Sequence, residues 1–193
     1  VAALPGNTRY LANSESPPGT PPSSTMNYVV IPKKGEPIAI TSSLEEHRCR
    51  HESSVNDIRC WTTYPDIKSD GKSALEILKS SLKEIKAKQI FADTKVSLGR
   101  SFKSSVSSNL NELRSIKSEA ELERIKKAIK QSDDGQRFAY NLVESGEGLS
   151  EKEVRSEIDY FMARKGIQEN SFSTIIASGP NSAHSHHSNT DRK

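Results

Sequence analysis

Residues 171–191 read SFSTIIASGPNSAHSHHSNTD. The first nine, SFSTIIASG (171–179), have a β-branched apolar centre and end in Gly-Pro, the pattern of a strand that leads into a loop. That loop packs three histidines into four positions, His184, His186 and His187. In an extended chain His184 and His186 point one way and His187 the other. A zinc site would need at least one more ligand, and no nearby Cys or Glu offers it. On residue types the cluster stays open between adventitious loop histidines and a role for at least one of them, since loops after strands often carry function.

Helical patterns precede this stretch. Ser150 to Lys165 predicts a helix with Val154, Ile158, Phe161 and Met162 on its buried face and Gly166 at the C-terminal cap position. Ser118 to about Glu144 predicts a longer one, with Leu122, Ile125, Ala128 and Ile129 as its apolar stripe and SGEG as its stop. Ser118 with Glu121, and Ser150 with Glu153, have capping-box spacing.

The first half alternates differently. VAALPGNTRYL (1–11) is expected to hold a short strand, and NSESPPGTPPSST (13–25) a proline-rich loop. MNYVVI (26–31) and IAIT (38–41), joined by PKKGEP, predict a β-hairpin. SLEEHRCRHES (43–53) predicts a short helix capped by Ser43 and Glu46, IRCWTTY (58–64) a strand, Ser73 to Lys88 a helix capped by Ser73 and Glu76, and IFAD (90–93) another strand. SFKSSVSSNL (101–110) gives no clear element. Strands alternating with helices indicate an α/β layer structure, and a composition shift near Leu113 marks the expected domain boundary.

Charge and composition exclude several classes. A net charge of +3, from 28 basic and 25 acidic residues, is too small to argue for a nucleic-acid partner. No apolar run approaches the roughly 20 residues of a membrane span, so no membrane partner is expected. Cys49 and Cys60 lack paired spacing and read as free thiols of a reducing compartment, which points to the cytoplasm. The chain opens at Val1 inside an apolar segment and is expected to lack its true N-terminus.

Other motifs are weaker. DGKS (70–73) resembles the end of a phosphate-binding loop, but Asp66 stands where that pattern needs glycine, so Gly71 and Ser73 read as turn and cap. His47 and His51 share a helix face, yet Arg48 follows the first histidine where zinc proteases have Glu, and Arg50 adds to a basic patch. Asp133 and Asp134 fall in a helical pattern as exposed charges.

Three stretches taken together carry a resemblance: LRSIKSEAELERIKKAI (113–129), EGLSEKEVRSEIDYFMARKG (147–166) and SFSTIIASGPNSAHSHHSNTDRK (171–193). In this order they resemble the start of the catalytic domain of the prolidase and aminopeptidase P family, the pita-bread metallopeptidases acting on Xaa-Pro bonds. NTRYL (7–11) and VVIPKKGEP (29–37) resemble that family's N-terminal domain more weakly. The resemblance implies an α/β chain: residues 1–112 as a creatinase/prolidase-like N-terminal domain with a mixed sheet, its start missing, and 113–193 as the first helices and strand of an α+β pita-bread domain.

Laid on the family pattern, Gly-x-Asn-Ser-Ala-x-x-His ends on His186. The resemblance therefore implies His186 as the catalytic and substrate-binding residue, donating to the scissile carbonyl or its oxyanion; His187, beside it, is a second substrate-binding candidate for the same cleft, although alternation aims it away from His186. Such a positioned imidazole stabilises developing negative charge and can move a proton near neutral pH. His184, Ser185 and His187 depart from the usual pattern.

The resemblance also implies two divalent metal ions, manganese or cobalt, held by two Asp, one His and two Glu that lie beyond the matched segment. No metal ligand or bound metal is thus expected in residues 1–193, and the segment alone is expected to be inactive. A proline-containing dipeptide substrate and a homodimer are further implications. Prolidase is the first reading and aminopeptidase P the second. A non-catalytic peptide-binding relative, such as the large subunit of the FACT histone chaperone, and a creatinase-like hydrolase remain as rivals on the same scaffold.

Overall fold

The structure is a computed structural model that describes residues 1–14, 26–145, 148–168 and 170–193. Most of the proline-rich stretch 13–25, and the Gly146–Glu147 part of the SGEG stop, lie outside the described residues. The chain forms two compact units, Val1–Ile116 and Lys117–Lys193.

In the first unit the hairpin forms as predicted. Strands β1 (Met26–Val30) and β2 (Ile38–Ser42) pair antiparallel, and β2 pairs in parallel with β3 (Asp57–Trp61), giving a mixed sheet of order β1-β2-β3. The parallel pair needs a crossover, which α2 (Glu46–Glu52) supplies. Alternation along the strands divides the core in two. Val29, Ala39, Ile58 and Cys60 join Ala12 and Cys49 on one face. Val30, Ile38 and Ile40 join Ile77, Leu78 and Leu82 of α3 (Ala74–Glu84) on the other. The sheet is thus a layer between helices, as the alternation of elements implied.

Several local readings are corrected. Residues 1–11 hold no strand beyond a single bridge from Ala2 to Val29; Pro5–Ala12 is instead helix α1. Pro5 sits in its first turn, where a missing N–H costs nothing. Asp93 holds the approach to it, accepting from the Ala3 and Leu4 backbone N–H groups and from Asn7 Nδ2 at 2.8–3.1 Å. Ser43 does not cap α2: the helix starts only at Glu46, Glu45 holds the N-cap position without a side-chain cap bond, and the Ser43 N–H is donated to Trp61 O (2.8 Å). Ser73 does cap α3, accepting from Glu76 N, but the Glu76 carboxylate takes the Lys72 N–H instead of closing a box. The unassigned serine-rich stretch contributes β5 (Ser104–Val106), parallel to β4 (Ile90–Ala92), and the start of α4 (Asn109–Ser115).

In the second unit α5 (Glu119–Glu144) and α6 (Glu151–Arg164) both begin at complete capping boxes, on Ser118/Glu121 and Ser150/Glu153. Gly166 closes α6 with φ +81°, its N–H on Ala163 O and the Ile167 N–H on Met162 O, the paired bonds of a Schellman ending. The helices meet where Gly135 lets Met162 approach and Phe138 stacks on Phe161 at 4.3 Å. The stripe residues Leu122, Ile125 and Ile129 stay exposed among the described residues. A 14-residue helix spans about 21 Å and a 26-residue one about 39 Å at 1.5 Å per residue, so α6 cannot cover all of α5.

The expected strand at 171–179 is absent. No ladder forms between it and any described residue, and a strand without a hydrogen-bonding neighbour is only extended chain. A 3₁₀ turn, Gly179–Ala183, follows it.

Candidate active-site loop

The C-terminal segment is organised by a residue that pattern reading passed over. Glu151 is the first residue of α6, where the helix dipole favours a carboxylate, and it is 1% exposed. Its Oε1 accepts from Ser178 N (2.7 Å), Ser178 Oγ (3.1 Å) and Asn181 Nδ2 (2.9 Å). Its Oε2 accepts from His187 Nε2 (2.7 Å), Thr190 N (2.8 Å) and Thr190 Oγ1 (2.8 Å). Since a carboxylate only accepts, His187 carries its proton on Nε2. Main-chain bonds add to this. Glu151 N donates to Arg192 O and Lys152 N to Thr190 O, so the segment also satisfies N–H groups that a helix start leaves open.

Burial alone would raise the Glu151 carboxyl. The donors on Asn181, the Ser178 backbone, His187 and the Thr190 backbone outweigh it and hold the group well below the usual carboxylate range. The sign for stability follows. A depressed folded-state value stabilises the fold above the ordinary 4.5, and that contribution fades as pH falls from there toward the folded value. Glu121 and Glu153 are lowered in the same direction by the Ser118 and Ser150 backbone N–H groups and hydroxyls. We expect acid titration below pH 4.5 to weaken the second unit progressively, and Glu151→Gln to flatten that slope in denaturant melts at successive pH values. An unchanged slope would contradict the bonding of Glu151.

The three histidines have different surroundings. The His187 side chain is 9% exposed and bonded to Glu151. His184 is exposed, its ring 6.4 Å from that of His187. His186 is exposed and finds no hydrogen-bond partner among the described residues. The structure thus separates His186 from His187, the two candidates named from sequence. The missing signal for Glu151 was local, an acid in a first helical turn, but its partners lie 27 to 39 residues away. The segment carries a second clamp: Asp159 Oδ1 accepts from Thr174 Oγ1 (2.6 Å) and Asn170 Nδ2 (2.9 Å), at the edge of a shallow cleft.

Among the described residues no group of three or more His, Cys, Asp or Glu comes together to hold an ion. Glu151 has six donors on its two oxygens, more than its roughly four lone-pair positions can share with a cation. His47 and His51 are both exposed on α2.

Similarity to known proteins falls on the same region. Residues 123–193 match the sequence model of Metallopeptidase family M24. An Xaa-Pro dipeptidase of Pyrococcus horikoshii is 37% identical over 84 residues, 44% of this chain and 23% of that protein. In three dimensions the chain is similar to the prolidase of Pyrococcus furiosus (TM-score 0.71, 25% identity, covering 99% of this chain and 56% of that one). It is also similar to an X-Pro aminopeptidase of Thermotoga maritima (TM-score 0.68, 22% identity, 98% and 51%). The chain therefore spans about half the length of these solved relatives. With its capped helices, its clamped histidine loop and its mixed-sheet first unit, the chain has the fold of the prolidase-type, pita-bread structures, and its residues 123–193 carry the sequence pattern of Metallopeptidase family M24.

Proposed function

We propose that the whole protein is a metal-dependent Xaa-Pro dipeptidase and that this segment supplies its substrate-facing histidine, His186. The observation that carries the reading is the loop at 178–190, held at both ends by Glu151 while His186 stays unbonded in the open. A free imidazole on an anchored loop is disposed to meet a ligand, and this part of the chain matches the model of Metallopeptidase family M24. In this reading residues 1–112 form the N-terminal domain and 113–193 the opening of the catalytic domain. In this reading manganese or cobalt is held by two Asp, one His and two Glu that lie farther along the chain than the matched segment, and the enzyme works as a homodimer. A cytoplasmic location is supported by two cysteines left as free, buried thiols.

The test is a substrate panel on the whole protein with added manganese or cobalt. Cleavage of Xaa-Pro dipeptides, with little action on longer Xaa-Pro peptides, is the expected result. Preference for the longer peptides would establish aminopeptidase P activity instead. Binding of peptides without cleavage would overturn the enzyme reading in favour of a non-catalytic relative. The segment 1–193 alone is expected to hydrolyse neither substrate.

A further inference from the structure

We propose that Glu151 is the positioning residue of the histidine loop, clamping its two legs so that His186 is presented in one orientation. The inference rests on the reading that His186 meets the substrate. One leg is held through Ser178 and Asn181, the other through His187 and Thr190. His186 lies between the legs and next to His187. Ser185 and His186 form a turn, and the His187 ring that follows is drawn inward onto Glu151 while His186 stays exposed. His187 is then a latch inside the protein, and its ring is already committed.

The arrangement is more than a helix cap. Ser150 and Glu153 already close the capping box of α6 by themselves. Glu151 is a separate, buried carboxylate whose six contacts all go to the loop and none to its own helix. Replacing it by glutamine would turn an amide NH₂ toward groups that can only donate, such as the Ser178 or Thr190 N–H, and that leg must release.

The experiment is a double-mutant cycle on the whole, metal-loaded protein with an Xaa-Pro dipeptide. Glu151→Gln is expected to lower kcat about tenfold or more with metal content unchanged, and to have less than about a twofold further effect in the His186→Ala background. Losses that simply multiply would show that Glu151 does not act through His186 and would overturn the proposal. Glu151→Asp keeps both oxygens and should recover part of kcat, which a loss of folded protein alone would not produce.

Hydrogen exchange on the same variants provides an arm that does not need activity. Ser178 and Thr190 amides should exchange about tenfold faster or more in Glu151→Gln, while Leu78 and Leu82 in α3 stay protected. Unchanged protection at Ser178 and Thr190 would refute the clamp. If the wild type cleaves no Xaa-Pro peptide, the proposed function fails, and the exchange arm still decides whether Glu151 holds the loop.

Discussion

Leu78→Ala is expected to destabilise the first unit by about 3 kcal/mol, within the 2–5 kcal/mol range for buried Leu→Ala changes. Leu78 is fully buried between α3 and the strands that carry Val30, Ile38 and Ile40. Removing its isopropyl group loses apolar burial and leaves a cavity that the surrounding Ile77 and Leu82 can fill only in part. The midpoint of thermal unfolding should fall by roughly 10–20 °C for a unit of this size. Trp61, the single tryptophan, packs against the same cluster, so its fluorescence follows the transition directly. A loss below about 1 kcal/mol would be typical of a surface position and would contradict the packing of α3 on the sheet.

His186→Ala in the whole enzyme is expected to lower kcat about 10²-fold or more, the usual size for removing a positioned acid, base or oxyanion donor. The side chain is exposed and unbonded, so the substitution should cost little stability. Its proposed role is donation to the substrate, so metal content should not change. Loss of metal in this variant would mean that His186 is a ligand and not a donor to the substrate. Loss of kcat with metal intact would support the proposed role. His187→Ala should differ from it, because that ring holds the loop through Glu151 and its loss should speed amide exchange at Ser178 and Thr190.

What could be read from sequence and what could not follow from the range of each interaction. The capping boxes at Ser118 and Ser150, the glycine ending at Gly166 and the hairpin around PKKGEP rest on contacts within a few residues, and all form as their spacing implies. The residue types at 1–11 misled, since Pro5 reads equally as a loop residue or a helix start, and contacts to Asp93 some 90 residues away accompany the helical outcome. IIASG has the composition of a strand, but strand formation is a property of a ladder, and composition carries no information about whether a neighbour lies alongside.

For the site, the order of residues alone determined the family pattern ending on His186, the helix that starts at Ser150 and the strand-helix alternation of an α/β chain. Only the tertiary structure decided which histidine is held and which is free. That choice depends on one carboxylate, Glu151, receiving donors from Ser178, Asn181, His187 and Thr190. A buried carboxylate has to fill its lone pairs with whatever the fold brings to it. Those partners are distant in sequence, and the pairing exists only once the chain has folded back over the start of α6.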